Sequence, residues 1–369
     1  MKRKLIATFG VVTAALIGYA ALSTSGTGTA VAQAAAKLYS GTFYIAGMGG
    51  HFAKADVTID PSNEKTPITI SNLDRIIIGD KHTHAVHDPR IDVNDSTKLY
   101  WSTYHLDPKG MAHVGISDLK TGDVIKDLAV APDPRAKSTS HFYCASGQTD
   151  KYYLPVTMTD EPYIDIYDKV TLKHKHRVFL KEYKLGDTLF YHGTNSPDMK
   201  KFIVVANRVE NGKPNGKVDF LMLDMAELVN GKEKVLAKNT LAGEPGDTIT
   251  FRQYFTPDGR YIFQSAGDRI WVLDASTLKL VDQKMIPDGG QVHDAMPTPD
   301  GKYGIMTIRM LAHIPGGEGK DVTDGFLMLY DASNKKILGK PSSVCLACHN
   351  QFEMTASAAL CGIDGNWKK

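Results

Sequence analysis

The sequence predicts an all-β fold, a β-propeller of four-stranded blades closed by its N- and C-terminal segments. Three observations carry this. A short apolar segment ending in aspartate recurs as ADVTID to Asp60, HVGISD to Asp118, YIDIYD to Asp168, DFLMLD to Asp224, RIWVLD to Asp274 and FLMLYD to Asp331. The spacings between these aspartates are 58, 50, 56, 50 and 57 residues. A strand-like segment precedes each copy, such as LYWSTY or FIVVAN, and another follows, such as KVLAKNTL. Runs rich in Val, Ile, Tyr and Phe and bounded by Asp, Gly and Pro are strands, not helices. Four strands per repeat at this period mean a propeller. Six copies are legible, so six blades are expected, with seven open to a divergent copy.

The first element is a leader, residues 1–34. Lys2, Arg3 and Lys4 precede an apolar run from Leu5 to Leu22, and Ala32-Gln33-Ala34 is a small-x-small cleavage site. That is the pattern of a signal peptide, so the mature chain is expected in the periplasm or outside the cell. An uncleaved anchor is the alternative, and no later stretch is apolar enough to span a bilayer. The full chain carries 43 basic and 41 acidic residues, and the leader removes three of the basic ones. A near-neutral balance makes no case for nucleic acid or an anionic membrane as partner.

The second element is the propeller, residues 38–340. Turns such as TPDGRY and TPDGKY join the first two strands of a blade, and DASTLK or DASNKK joins the last two. The first copy begins at its second strand, Thr42 to Gly47. Propeller termini usually meet in one composite blade, which removes a free edge. The C-terminal tail is therefore expected to pack beside residues 38–48.

That tail, residues 341–369, holds SSVCLACHNQFEM. Two cysteines two residues apart, with a histidine directly after, form the attachment signature of haem c. Cys345 and Cys348 would carry the thioethers and His349 would be the axial ligand to the iron. A half zinc site or a redox CxxC are the competing readings, but no second CxxC exists for zinc. A segment this short buries no core of its own, so the haem must borrow its pocket from the propeller. The sixth position is open, with His313, His51, Met310 and Met354 as candidates, although Met354 lies only five residues after His349.

The repeat also sorts the histidines by face. His82, His84 and His87 fall where the first strand of the second copy begins, and His141, His192 and His293 do so in the third, fourth and sixth. The fifth copy has Arg252 there. His51, His105 and His313 are assigned to loops on the same face, and His174 and His176 to a turn on the opposite one. Residues at first-strand starts line the mouth of the central channel. His87, His141, His192 and His293 there suit a metal, a second cofactor or acid–base work on a small-molecule substrate. The competing reading is structural, each imidazole bonding a neighbouring blade's backbone. Cys144 and Cys361 either pair or, for Cys144, fill a small apolar space.

The PDG turns and apolar–Asp strands over residues 38–340 resemble the YVTN-type repeats of the superfamily that includes haem d1 domains and amine dehydrogenase large chains. In haem d1 propellers, histidines on this face attend the second haem, so the resemblance implies a second cofactor as one use of the mouth. Propellers host many functions, so the resemblance bears mainly on fold. No nucleophile triad, phosphate loop or quinone-generating tryptophan pattern is present. The reading that results is an exported c-type cytochrome acting as an electron-transferring oxidoreductase, or a subunit of one, with a redox partner protein. Non-catalytic electron transfer, a cofactor-binding propeller and an amine dehydrogenase-like scaffold subunit are the alternatives. Two chains could also pair to share haems.

Overall fold

The structure is a computed structural model that describes residues 37–47, 49–136, 141–183, 188–313, 321–344 and 362–368. The leader, the Cys345–His349 motif, Met354 and Cys361 lie outside the described residues. Among the described residues the strands form six four-stranded antiparallel sheets. Each sheet is one blade, with strands A to D counted outward from the axis. The A strands are Val86–Ile91, Tyr143–Gln148, Thr188–Asn195, Gln253–Phe255 and Gln291–Pro297 for blades 2 to 6. Blade 1 takes its A strand from the C-terminus, Ile363–Trp367. Each A strand contacts the next, and the last contacts the first, so the ring closes with six blades.

The repeated aspartates have a physical task. Each sits at the end of a C strand or just past it, and its carboxylate accepts backbone N–H groups of the following turn. Asp118 accepts from Lys120 and Thr121, Asp274 from Ser276 and Thr277, and Asp331 from Ser333 and Asn334. In blade 4 the same bond caps a helical turn instead: Asp224 accepts from Ala226 and Glu227 at the start of Met225–Leu228. Side-chain capping of an otherwise unpaired N–H is why Asp suits this position. The A–B turns are fixed similarly. Thr256 donates to Asp258 at 2.6 Å and accepts from the Tyr261 N–H at 3.0 Å, and Gly259 takes the left-handed conformation the turn needs.

The predicted composite blade forms. Strand A of blade 1 pairs antiparallel with strand B, Tyr39–Ala46, from Gly41↔Trp367 to Ile45↔Ile363. Gly365 and Gly41 keep this joint narrow: a Cβ on Gly365 would lie 2.1 Å from the Phe43 ring. The Phe43 and Trp367 rings meet edge to face, with centroids 4.9 Å apart. Polar bonds then tie the strand to its neighbours in the ring. Asp364 accepts from the Ile91 N–H of blade 2, and Tyr254 of blade 5 donates to Ile363 O. The last blade's D strand ends at Ser343 and the closing strand begins at Ile363. The haem-type motif therefore lies within one D-to-A connection of the ring.

Four placements differ from expectation. His51 opens a C strand, His51–Ile59, and His313 ends a B strand, Tyr303–His313, because both strands run further toward the top than their repeats suggest. His174 and His176 lie not in a turn but in the D strand His174–Phe179, where His174 bonds the fully buried Asp165 at 2.9 Å, beside Arg177.

Candidate functional site at the channel mouth

The A strands bring the predicted histidines together through β-bulges. The register of A against B shifts between His87 and Arg90, between Tyr143 and Ala145, between Leu189 and His192, and between Val292 and Asp294. A bulge adds an unpaired residue and re-aims its side chain. In blades 3 and 6 the residues at the shift are Cys144 and His293. Asp88 and Phe190, at the shifts of blades 2 and 4, take positive φ angles of 57° and 54°. The bulge explains why the histidine offsets drift along the sequence. In blade 3 the bulged residue is Cys144, and His141 lies two residues before the strand.

His87, His141, His192 and His293 all line one cavity of about 310 Å³, with Cys144, Tyr104, Met158, Phe190, Phe251, Gln291 and Arg309 among its walls. Rings hold the imidazoles in place. Tyr104 lies between His87 and His141, stacked at 4.4 and 4.5 Å, and Phe251 stacks on His293 at 3.9 Å and 11°. Of the sixth-ligand candidates, His51 and Met310 do not line this cavity. His51 Nδ1 bonds Gly49 O at 3.1 Å.

Hydrogen bonds fix where the proton sits on two of these rings, His192 and His87. A carbonyl oxygen only accepts, so His192 Nδ1, 3.1 Å from Phe190 O, carries the proton. That leaves its Nε2 as an acceptor, 3.0 Å from the Cys144 sulfur. His87 Nδ1 donates to Cys144 O at 3.3 Å and lies 3.4 Å from the same sulfur. His293 Nε2 faces Gln291 Oε1 at 2.9 Å. His87 Nε2 and His293 Nδ1 are buried and have no hydrogen-bond partner among the described residues. A buried polar nitrogen without a partner is uncommon, and a ligand is one explanation of it. The bond from His87 to blade 3 is also the structural role expected of such a histidine, so this residue serves both readings.

Below the cavity the axis is charged. Arg252, 1% exposed, contacts the buried Asp88 and Cys144 O, and its Nε lies 3.8 Å from Asp294. Arg90 bonds Asp88 at 3.1 Å. Asp294 is further held by Tyr254 at 2.7 Å, Thr307 at 2.5 Å and the Gly362 N–H at 3.0 Å. Gly362, just before the closing strand, is thus bonded to the residue that follows His293. Burial and the neighbouring Asp294 push the Tyr254 hydroxyl well above its ordinary value, so it stays protonated and donates.

Sequence reasoning missed Cys144 as a wall of this site, treating it as a disulfide partner or an apolar filler. Its sulfur instead lies between two imidazoles. Its pairing with Cys361 falls outside the described residues. The signal for Cys144 was faint: it is three residues after His141 in HFYCAS, and only the bulge makes it the counterpart of His293.

No family model and no curated protein matches this sequence. Solved structures do. A chain of the nidogen/laminin complex is 11% identical, with 89% of this chain and 98% of that chain covered at a TM-score of 0.52. The hydrazine synthase of Kuenenia stuttgartiensis is 16% identical, over 67% of this chain and 63% of that chain, at 0.45. The β-propeller domain of Myceliophteria thermophila Cps50 (Swd1) is 13% identical, over 71% and 87%, at 0.41. At such identities a likeness is one of fold alone, and the strand pairing with the first of these matches makes the chain a six-bladed β-propeller.

Proposed function

We propose that this chain is an exported c-type cytochrome of the YVTN-like propellers, in which Cys345, Cys348 and His349 would hold one haem c and the histidine-lined cavity would hold a substrate or second cofactor. The observation that carries the reading is the set of donors in that cavity. Two of the residues lining it, His87 and His293, each have a buried imidazole nitrogen with no hydrogen-bond partner among the described residues, and His192 Nε2 faces the Cys144 sulfur. Imidazole and sulfur are borderline-to-soft donors that suit a transition metal, and a bare imidazole nitrogen equally accepts a substrate proton. Haem c supplies one-electron chemistry when bound. The chain's own residues do the rest. Tyr104 and Phe251 orient the imidazoles, the aromatic walls limit water, and Arg309 offers a positive charge to an anionic group. The leader supports a periplasmic or extracellular site of action.

The test uses the full-length protein purified from its own host. Absorption spectroscopy should show one haem c per chain, and metal analysis or further absorption bands should reveal the cavity's occupant. His87→Gln with His293→Gln should remove that occupant and leave the haem c bands intact. A protein without covalent haem overturns the cytochrome reading. Haem c bands with no second occupant and unchanged reduction in the double variant would favour a non-catalytic electron carrier.

A further inference from the structure

A second group of histidines lies outside the cavity, on blade 2. His84 comes from the connection into its A strand, His113 from its C strand Ala112–Asp118, and Asp127 from its D strand Val124–Val130. His84 Nε2 is 2.9 Å from one Asp127 oxygen, and His113 Nδ1 is 2.8 Å from the other. One donor atom from each of the three residues lies within 4.8 Å of the other two. We propose that this is a binding site for a divalent transition cation of borderline softness, with zinc as its simplest occupant. The cytochrome reading neither uses nor needs it.

The argument rests on what holds the far side of each ring. His84 Nδ1 is 2.8 Å from the Thr83 hydroxyl, and His113 Nε2 is 3.5 Å from Asp107 Oδ2. Metal-bound histidines characteristically give their second nitrogen to such a hydroxyl, carbonyl or carboxylate, which fixes the tautomer. Here both rings have that outer partner, and the two remaining nitrogens converge on one carboxylate. Without metal, each inner nitrogen donates its proton to Asp127. With metal, His84 carries its proton on Nδ1 toward Thr83, and His113 carries its proton on Nε2 toward Asp107. Neutral imidazoles then bind without net proton release, whereas protonated ones release their extra proton.

Charge and access agree. Asp127 and Asp107 bring two negative charges to a dication, of which Asp107 acts through His113 as a positioning residue. Two histidines and a carboxylate with an open position are a common zinc ligand set. Tetrahedral zinc with bonds of about 2.0–2.1 Å separates its donors by about 3.3–3.5 Å, so small side-chain rotations suffice. The site is open on one side, with the Asp127 side chain 33% exposed and that of His84 17%. Room for the His84 ring exists because residue 79 is glycine, where a Cβ would stand 2.6 Å from His84 Nδ1.

The experiment is calorimetric titration of the full-length, chelator-stripped protein with Zn²⁺, with the covalent haem left in place. A zinc site is expected that survives His192→Gln, whatever the axial cavity binds, and is not competed by Mg²⁺. His84→Gln and Asp127→Asn should each weaken it at least 100-fold, and Asp107→Asn about 10–100-fold. The melting temperature should rise with zinc in the wild type and in His192→Gln, and not in His84→Gln. His84 is the most exposed of the two histidine ligands, so its variant keeps the fold. Zinc stoichiometry and affinity unchanged in His84→Gln, or no zinc bound at millimolar concentration, overturns the proposal.

Discussion

His84 and His87 are three residues apart in one chain segment, yet their rings are held in opposite ways. His84 has a partner on each nitrogen, Thr83 on one and Asp127 on the other. His87 has one nitrogen on a backbone carbonyl and the other buried, without a partner among the described residues. Carboxylates hold the rings on the flank of blade 2, and aromatic stacking holds them at the axis. The axial arrangement is possible because the bulged A strands turn side chains inward while the Arg252 cluster beneath them supplies the stability. Where a histidine nitrogen is left bare, something else must fix the ring. That separates rings fixed by stacking, with a nitrogen left over, from rings fixed by polar partners on both sides.

The largest expected effect comes from breaking the charged base of the cavity. Arg252→Met leaves Asp88 without that guanidinium contact and Asp294 without its nearest positive charge. Removing one partner of a buried ion pair costs about 3–5 kcal/mol. Urea unfolding should show a loss of that size, and a loss below about 1 kcal/mol would mean that Arg90 and Tyr254 satisfy the two carboxylates unaided. The next effect tests the comparison directly. His113→Ala strips a donor from the part-exposed Asp127, which keeps His84, and should cost about 1–2 kcal/mol, toward the low end for a hydrogen bond to a charged group. His293→Ala loses a ring stack and one bond to Gln291, and should cost about 1 kcal/mol. Equal losses would erase the distinction between a paired and a bare imidazole.

Acid sharpens the same contrast. Burial pushes the Asp127 carboxyl up, but bonds from His84 and His113 outweigh it and hold it below the usual carboxylate range. A group whose folded pKa is depressed adds stability above its unfolded pKa, about 3.9, and loses it as pH falls through the folded value. The gap in melting temperature between wild type and Asp127→Asn should therefore be full at pH 5–7 and close below about pH 4. A gap that persists at pH 2–3 would assign it to packing, not charge.

The legibility of these features follows their range in sequence. The six blades were readable because each aspartate caps a turn within three residues of itself, so every copy carries its own signal. The composite blade was readable by subtraction, since blade 1 lacked an A strand and the tail was unused. The channel-mouth histidines were readable as a set but not in register, because a bulge inserts a residue without changing composition. Cys144 and the His84–His113–Asp127 group were not readable. Both depend on pairing between strands, which brings His113 beside Asp127 and carries His84 across from a connection 29 residues before His113. The B–C loops were placed too early because Tyr303–His313 runs longer than its counterparts.

The smallest expected effect on stability is also the cleanest separation of the two histidine groups. Gly79→Ala alters no donor in either. Its backbone is not in the left-handed region, so alanine brings no strain of its own, and it narrows the unfolded ensemble by about 0.4–1 kcal/mol in favour of folding. The new methyl, however, stands 2.6 Å from His84 Nδ1 and 2.7 Å from Cγ. His84 is part-exposed, so its ring can swing out, breaking its bonds to Thr83 and Asp127. The loss of those exposed bonds and the gain from the backbone are of similar size, so unfolding should change by less than about 1 kcal/mol. Zinc affinity should nevertheless fall about tenfold or more, while the occupant of the axial cavity stays bound. If zinc binding holds and stability drops, the His84 ring is locked where it stands, and the flank of blade 2 is a fastening of the fold like the aspartates that cap its turns.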